Sequence, residues 1–326
     1  MTTPSETGYR SAAAALLIGT PRHHVVIFAA LLGLLLIAPS VLYPVFLMKV
    51  LCFALFASAL NLLLGFGGLL SFGHAAFFGS ASYVAAYAAK AWGLNPEFAI
   101  LLGVLAATVL GLGIGVLAIR RQGIYFAMVT LAFAQMVYFI AVQAPFTGGE
   151  DGIQAVPRGK LFGLLDLTSD YTLYFVVLAI VFGALLLIYR IIHSPFGQVL
   201  KAIRDNEPRS ISLGYKVNRY KLAVFVMSAA LAGLAGATKA IVFQLASLTD
   251  VYWSMSGEVV LMTLLGGMGT VFGPIIGAAV IVTMQNYFAG FGAWVTVLQG
   301  VIFVASVLLF REGIAGVLAK WLKKPL

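Results

Sequence analysis

The sequence predicts an all-α polytopic membrane protein, a bundle of about ten transmembrane helices with both termini in the cytoplasm. Hydrophobic residues make up 62% of the 326 positions and charged residues only 10%. A soluble domain carries about 25% charged residues, so this chain has too few charges to cover a globular surface. Long stretches lack any charge, and the longest, Val259 to Phe310, covers 52 residues. These stretches are uniformly apolar, which favours helices over the alternating strands of a membrane barrel.

Apolar runs near the length that a spanning helix needs define the expected elements in chain order. The first run, Val25 to Tyr43, is expected to remain as an anchor, because Ala38-Pro39-Ser40 is a poor cleavage site for a signal peptide. The glycine-rich region 65–79 is expected to be partly re-entrant. The spans are expected near residues 25–43, 46–65, 70–89, 98–119, 124–143, 171–189, 222–244, 258–270, 273–289 and 293–310.

Basic residues are distributed unequally between the two sides of these spans. Fifteen of the 20 lysines and arginines lie on the side that also holds both termini, whereas the opposite side is acidic. Because basic loops stay in the cytoplasm, both termini are expected there. The expected organisation is a cytoplasmic segment 1–24, a transmembrane domain 25–310 and a cytoplasmic tail 311–326. Within the domain, loop 144–170 is expected outside the cell and loop 190–221 inside.

Loop 190–221 carries its own helix signals. Ser194-Pro195 is a plausible N-cap followed by proline, and the helix that follows would place Lys201, Arg204 and Asp205 opposite an apolar face. A second short helix would begin around Asn206 to Pro208 and stop at Gly214, a natural residue for the position after a helix. The two pieces would form a compact knob. The alternative is a solvated loop whose positive charge only sets the topology.

Glycine and proline interrupt several of the predicted spans. Small residues at these positions allow close helix packing in lipid, which is the simpler explanation. Alternatively, the interruptions are helix breaks that release backbone polar groups toward a pathway. The candidate positions for packing or breaks are Gly67, Gly68, Gly267, Gly269, Gly273 and Pro274.

Ionisable residues inside the spans are few. His74 is expected to be either a packed, hydrogen-bonded histidine or part of a polar route. Lys49 and Lys239 lie near span ends, where their side chains are expected to extend to the interface. No midplane pair of acidic residues suggests a site for Na⁺ or protons, which counts against an ion-coupled secondary transporter. No catalytic arrangement of side chains is recognisable either, so the chain is not expected to be an enzyme.

The sequence also argues against other classes of protein. Cys52 is the one cysteine and there are four histidines, so no metal site is expected. The net charge of +9 comes from short blocks between spans rather than from a basic face, so nucleic acid is not an expected partner. The pattern GxxxxGK[ST] is absent, so the chain is not expected to hydrolyse ATP itself. A transporter of this kind takes its energy from a partner or is a passive channel.

Five segments occur in an order that matches one known family. They are Leu60–Ala86, Gly123–Gln135, Thr147–Ile153, Ser194–Ala237 and Gly266–Ala278. Together they resemble the branched-chain amino acid ABC-transporter permeases of the LivM type, over residues 45 to 310.

The resemblance implies a permease subunit that translocates leucine, isoleucine and valine across the bacterial inner membrane. It implies a second, LivH-type permease, two cytoplasmic ATP-binding subunits and an extracytoplasmic substrate-binding protein. ATP and Mg would be bound by the ATP-binding subunits, and this chain would hold no cofactor. Related permeases serve urea and short amides, which stay open as substrates, and an ion-coupled transporter or passive channel is the remaining alternative.

The resemblance also implies roles for particular residues. ABC permeases place a short coupling helix on their ATPase, within a loop often written EAA-x3-G, and Glu207–Gly214 is the matching stretch. Pro208-Arg209 replace the two alanines there, and the glycine comes one residue late. The residues expected to couple to the ATPase are Lys201, Arg204, Asp205, Glu207, Arg209 and Gly214. The residues expected to line the translocation path are Asn61, Ser71, His74, Tyr125, Thr130 and Gln135.

Overall fold

The protein is built mainly of α-helices. The structure, a computed structural model, describes residues 22–163 and 165–292, positions 294, 297, 298, 300–302 and 304, and residues 313–322. The chain divides into two units, the first ending at Leu42. The described part of that unit holds helix α1 (Arg22–Ile37) and one 3₁₀ turn at Ala38–Ser40.

The second unit, from Tyr43 onward, contains the other elements. Its helices are α2 (Pro44–Asn61), α3 (His74–Lys90), α4 (Pro96–Ala118), α5 (Ile124–Gln143), α6 (Asp170–His193), α7 (Pro195–Asp205), α8 (Glu207–Ser212), α9 (Val217–Phe243), α10 (Leu248–Val251), α11 (Trp253–Gly266), α12 (Gly273–Tyr287) and α13 (Gly313–Leu322). A π-helical stretch, Leu62–Phe66, continues α2. Four two-residue strands complete the unit: β1 (Ile153–Gln154), β2 (Lys160–Leu161), β3 (Leu165–Asp166) and β4 (Leu245–Ala246).

Among the described residues, five helices are long and apolar enough to cross a membrane: Pro44–Phe66, Pro96–Ala118, Ile124–Gln143, Asp170–His193 and Val217–Phe243. The prediction of a polytopic, helical membrane protein is therefore confirmed. Helices α1, α3, α11 and α12 overlap four further expected spans, but with 14 to 17 residues they are shorter than the five helices above. The span expected at 293–310 lies largely outside the described residues, so the number of ten stays a prediction.

Proline sets the start of several of these helices. Pro44, Pro96, Pro195 and Pro274 each lie in the first turn of their helix. The first turn has no intrahelical partner for its N–H groups, so the missing donor of proline has little cost there, and its fixed φ suits the helix. The prolines therefore account for sharp helix starts inside otherwise continuous apolar sequence.

Helices α2 and α9 form the centre of the bundle. In the apolar windows of α2 and α9, 83% and 78% of the residues are buried, against 28% in both α4 and α5. Helix α9 packs against α3 and α4, and α2 packs against α6, α9 and α12. Because α4 and α5 expose large apolar side chains such as Leu105 and Phe139, their outer faces suit lipid or another apolar helix.

The segment 144–170 folds onto the ends of neighbouring helices. Strand β1 pairs antiparallel with β4, with Ile153 opposite Ala246, and β2 forms a hairpin with β3. Arg158 joins three elements, because its guanidinium contacts Asp170 at 2.6 Å and donates to the carbonyls of Val242 at 3.1 Å and Thr168 at 3.3 Å. The segment is therefore an ordered cap rather than a loose loop.

The expectation that Lys239 extends to the interface is wrong. Its ammonium lies inside the bundle and contacts both carboxylate oxygens of Asp250, at 2.6 and 2.9 Å. Asp250 is fixed in turn by a capping box with Ser247 at the start of α10. The reason is that α10 folds back into the bundle and delivers a carboxylate to the lysine, so the charge has a nearer partner than water.

Candidate functional site

Two short helices, α7 and α8, form the knob expected in loop 190–221. The side chain of Ser194 accepts from the backbone N–H of Gly197 at the start of α7, and Asn206 accepts from Arg209 N–H at the start of α8. Gly214 follows α8 with φ of +85°, in the left-handed region that favours glycine. The two-helix interpretation and its caps are confirmed. We call residues 195–214 the knob.

The knob is bonded to the end of α2 through Arg204. The Nη1 atom of Arg204 donates to the carbonyl oxygen of Gly65 at 2.5 Å, while Nε and Nη2 bind Asp205 at 3.0 and 2.9 Å. Gly65 lies in the π-helical stretch, where the i→i−4 pattern has ended and carbonyls need other partners. A charged side chain of the knob thus stabilises the π-helical end of α2.

Asn61 joins the end of α2 to a helix break farther along the chain. The segments 67–73 and 267–272 are both non-helical, and we call them the first and second break. The amide of Asn61 donates to the carbonyl of Thr270 at 2.8 Å, and its Oδ1 accepts from the N–H of Gly269 at 2.9 Å. Both polar atoms of one side chain are used, so the end of α2 and the second break are held in a fixed register.

Glycine is required where the π-helical stretch meets the second break. A Cβ on Gly65 would overlap the backbone nitrogen of Gly269 and approach its Cα to 2.9 Å. Gly269 also has φ of +78°, where a side chain is strained. Of the positions proposed from the sequence, Gly68 and Gly267 have positive φ as well, and Gly273 and Pro274 begin α12. Helices therefore end or begin at these positions, and a role of the breaks in a pathway stays a prediction.

A cleft of about 400 Å³ opens between the knob and the first break. Glu207 lies on its wall, bound to Lys221 of α9 at 2.8 Å and to the Gln122 side chain at 3.1 Å. The lining combines both signs of charge with glycine backbone, and its members are Gly67, Gly68, Leu69, Gln122, Gly123, Ile203, Arg204, Asp205, Asn206, Glu207, Pro208 and Lys221.

Lys201 contributes a further contact between the knob and α2. Its ammonium lies 5.6 Å from the centre of the Phe66 ring. Partial burial lowers the pKa of Lys201, and the neighbouring charge of Arg204 lowers it further. The side chain therefore points toward the bundle rather than fully into water, unlike the polar face expected for it.

The six residues expected to couple divide into two groups. Lys201, Arg204 and Glu207 contact the bundle, whereas Arg209 and Gly214 are exposed. Asp205 is exposed beside Arg204. Ile211 and Leu213 extend the exposed surface, with 58% and 69% of their area accessible. The knob thus has one face bonded to the bundle and another that is free of it.

Three residues expected in the translocation path lie in or beside the first break, and a fourth, Asn61, lies near the end of α2 that precedes it. Ser71, His74 and Thr130 are fully buried, and Asn61 is 3% exposed. Thr130 accepts from the N–H of Phe72 at 3.2 Å and donates to the carbonyl of Ala127. Ser71 accepts from Gly73 N–H at 3.1 Å. These hydroxyls satisfy the backbone groups that the break frees.

His74 lies at the start of α3 within a buried polar chain. Its Nε2 is 2.8 Å from the hydroxyl of Ser228, which donates to the carbonyl of Ala59 at 2.5 Å. The Nδ1 atom is buried and has no partner among the described residues. The structure does not bring the remaining two path residues to this group, because Tyr125 is 67% exposed and Gln135 is half-buried on α5.

Sequence reasoning missed the partners of these residues. In the sequence, Lys221 is one of several positive charges of the loop, and no local pattern singles out Gln122 or Thr270. No local spacing connects them to Glu207 or Asn61, since the contacts join residues 14, 85 and 209 positions apart in the chain. No cluster of His, Cys, Asp or Glu that could hold a metal ion occurs among the described residues.

Apolar helices of spanning length, two helix breaks and a helical knob bonded to the end of α2 are typical of a multi-pass membrane protein. Residues 42–307 match the model of the family described as branched-chain amino acid transport system / permease component. The chain belongs to this family.

Individual relatives agree with the family match. The LivM permease proteins of the high-affinity branched-chain amino acid transport systems of Salmonella typhimurium and Escherichia coli are each 29% identical over 278 residues, which cover 78% of this chain. The matched region spans 65% of the length of those two relatives. The ribose import permease protein RbsC of Bacillus subtilis is 27% identical over 68% of this chain and 70% of its own length. No solved structure matches the chain.

Proposed function

We propose that the chain is the membrane-spanning permease subunit of a binding-protein-dependent ABC importer for branched-chain amino acids. The family match and the two LivM relatives support this assignment. The LivH relative from Methanocaldococcus jannaschii, 27% identical over 179 residues, supports a second permease of similar sequence as the partner. Two ATP-binding subunits, which hold ATP and Mg, and an extracytoplasmic binding protein complete the assembly, and this chain holds no cofactor.

The observation that carries the proposal is the two-faced knob. Its exposed face, with Arg209, Ile211 and Leu213, is the surface for an ATP-binding subunit. Its inner face holds Gly65 through Arg204, and Gly65 lies against Gly269 of the second break. A displacement of the knob by the ATPase therefore reaches the end of α2 through the bond to Gly65, and the second break through the bonds of Asn61 to Gly269 and Thr270. These bonds are a physical route for coupling.

The topology proposed from charge agrees with this arrangement. The knob lies in the cytoplasm, segment 144–170 outside, and both termini are cytoplasmic after ten crossings of the inner membrane. The transmembrane domain is 25–310, between the segment 1–24 and the tail 311–326. The path passes the breaks at Asn61, Ser71, His74 and Thr130, while Tyr125 and Gln135 on α5 face the second permease.

Reconstitution tests the function directly. Proteoliposomes containing this chain, the second permease and the ATP-binding subunits should take up radiolabelled leucine when ATP and the loaded binding protein are supplied. Urea and acetamide serve as competing solutes. Hydrolysis of ATP by the chain alone, or uptake driven by an ion gradient without the ATPase, would contradict the proposal.

A matched pair of variants tests the knob. Arg209→Glu reverses a charge on the exposed face of α8 and should reduce both uptake and co-purification of the ATPase. Arg219→Glu reverses an exposed charge at the start of α9 and should leave both near the original level. Equal behaviour of the two variants would remove the exposed face of the knob from coupling.

Cysteine labelling tests the orientation. In a Cys52→Ala background, the variants Glu150→Cys and Arg209→Cys place single thiols at exposed positions of segment 144–170 and of the knob. An impermeant thiol reagent added to intact spheroplasts should label position 150 and spare position 209. Labelling of position 209 alone would invert the topology.

A further inference from the structure

The last described helix, α13, lies against the bundle. It contacts both α11 and α12, the two helices that the second break separates. Gly313, Ala315 and Gly316 at its start are buried, whereas Val317 is 42% exposed. Small residues on a buried face allow two backbones to approach closely. The segment 311–326, expected as a tail, therefore contains a helix that packs on the bundle.

Gly313 is the point of closest approach between α13 and the second break. Its φ of +73° lies in the left-handed region that favours glycine. A Cβ there would overlap the Cα of Gly267 and approach the carbonyl carbon of Gly266 to 3.0 Å. Gly266 is the last residue of α11, and Gly267 is the first residue of the second break. The start of α13 therefore touches the backbone where α11 ends.

The backbone of the second break depends on its neighbours for a fixed conformation. Gly267 and Gly269 have φ of +118° and +78°, and glycine has more conformational freedom to lose than any other residue. Thr270 supplies bonds within the segment. Its hydroxyl donates to the carbonyl of Gly267 at 2.8 Å and accepts from the N–H of Gly273 at 3.1 Å. Contacts from outside the segment must supply the rest of the restraint.

Two other elements contact the second break at different points. The side chain of Asn61 on α2 bonds to its middle, and Gly313 of α13 contacts its first residue, Gly267. The knob lies close as well, because a Cβ on Gly269 would lie 3.8 Å from Nη1 of Arg204. The second break is therefore held between α2 and α13, beside the guanidinium that bonds the knob to α2.

A contact between two backbones transmits displacement directly. Side chains can change rotamer and absorb a shift, whereas close-packed main chains have no such freedom. A displacement of α13 at Gly313 therefore acts on Gly267. Because Gly267 accepts from Thr270, and Thr270 accepts from Asn61, this displacement changes the register between the second break and α2.

We propose that Gly313 is a positioning residue for energy coupling, through which α13 keeps the second break in register with Asn61 and the knob. When α13 is loosened, the ATPase still binds, but movement of the knob no longer moves the second break with it. ATP is then hydrolysed without transport of solute. The inference rests on the proposed function as an ABC permease, and it adds a second element to the coupling route that begins at the knob.

Four variants of the complete complex test this role. Gly313→Ala adds the overlapping Cβ, and its matched control is Gly163→Ala, where φ is +72° and a Cβ would meet nothing within 4 Å. Ile314→Ala removes a half-buried side chain of α13 without adding a clash, so the test stands even if Gly313→Ala does not assemble. Its control is Val317→Ala, at an exposed position of the same helix.

Two measurements are made on each variant and on the wild type. Hydrogen exchange of the amides of residues 267–272 should rise about threefold or more in Gly313→Ala and Ile314→Ala, and it should not change in the two controls. The ATP hydrolysed per leucine transported should rise about twofold or more in the same two variants and stay at the wild-type level in the controls. Ile314→Ala combined with Arg204→Met should raise this ratio by less than the product of the single effects, because both act on the second break.

The combination of results decides the role of α13. Increased exchange together with an increased ratio supports the proposal. Increased exchange with an unchanged ratio shows that α13 only stabilises the fold, and this result overturns the proposal. Unchanged exchange in both α13 variants overturns it as well.

The proposed function is tested separately by ATP-driven leucine uptake of the wild-type complex. If the wild-type complex does not transport leucine, the proposed function fails. Hydrogen exchange of residues 267–272 does not depend on transport, so it still decides whether α13 positions the second break.

Discussion

Replacing Lys221 with methionine should release helix α8 from the bundle. The ammonium of Lys221 lies 2.8 Å from Glu207 Oε2, and the two side chains are only 6% and 22% exposed. Removing one partner of a buried ion pair costs about 3–5 kcal/mol, because the other charge stays buried. Glu207 keeps the Gln122 amide at 3.1 Å and some contact with water, so the lower figure, about 3 kcal/mol, applies.

Hydrogen exchange of the α8 amides measures this loss. A local destabilisation of about 3 kcal/mol corresponds to about a 150-fold rise in the population of the open form, and exchange rates rise with it. The double variant Lys221→Met with Glu207→Met removes both charges and should recover most of the protection, since an apolar pair of similar size is often neutral. Lys216→Met, at an exposed lysine of the same loop, serves as the control.

Two results would show that the ion pair does not hold α8 on the bundle as proposed. If Lys221→Met raises exchange in α8 less than threefold, or no more than Lys216→Met does, the ion pair does not hold the knob. If the double variant is as unprotected as the single one, the loss comes from packing rather than from an unpaired carboxylate.

Three further predictions concern a hydrogen bond of the knob, a close helix contact and the attachment of segment 144–170. Arg204→Met should leave ATPase association intact but raise the ATP hydrolysed per leucine transported, because the knob loses its bond to Gly65. Gly277→Ala should lower the thermal midpoint of the purified protein, at a cost of about 1–3 kcal/mol, since its Cβ would overlap the carbonyl of Met262. Arg158→Met should increase proteolysis of segment 144–170, because its bonds to Asp170 and to neighbouring carbonyls are lost.

Each of these predictions has a control within the chain. Arg204→Lys retains a donor and should keep much of the coupling, so equal uncoupling by lysine and methionine would argue against a charge-assisted bond. Gly113→Ala lies where a Cβ meets nothing within 4 Å, and it should not lower the midpoint. Arg158→Lys should protect segment 144–170 partly, and unchanged proteolysis of Arg158→Met would show that β1 and β4 hold the segment without it.

Helix positions were predictable because the signals are local. Hydrophobic runs end at proline or glycine. The two helices of the knob were predictable from Ser194-Pro195 and Gly214, because the roles of these residues depend only on the adjacent backbone. The expected spans at 98–119 and 124–143 differ from α4 and α5 by at most two residues at each end. The expected span at 70–89 begins later, at His74, because the first break occupies the preceding residues.

The hydrogen-bond and ion-pair partners of these side chains were not predictable, because they depend on the packing of segments that are distant in the sequence. Nothing near Lys239 in the sequence reveals that α10 returns Asp250 to it, so an interfacial lysine was the reasonable expectation. Arg204 was assigned to the polar side of α7, but a long side chain can reach back to Gly65 once the π-helical stretch presents an open carbonyl. A spacing pattern predicts which face of a helix carries a residue, but it does not predict how far a long arginine side chain extends or which atom it binds.

The pairing of β1 with β4 has a consequence for the order of events during synthesis. Ile153 pairs with Ala246, about 93 residues later in the chain, and Val156 N–H donates to Gln244 beside it. A ribosome adds about 5–20 residues per second, so β1 is made about 5–20 s before its partner. Until then it presents an unpaired strand edge, which is a template for pairing with other chains. We expect ribosome-bound chains arrested before residue 245 to be cleaved in segment 144–170 and longer ones to resist, so translation pauses within α9 should lower the yield of folded protein.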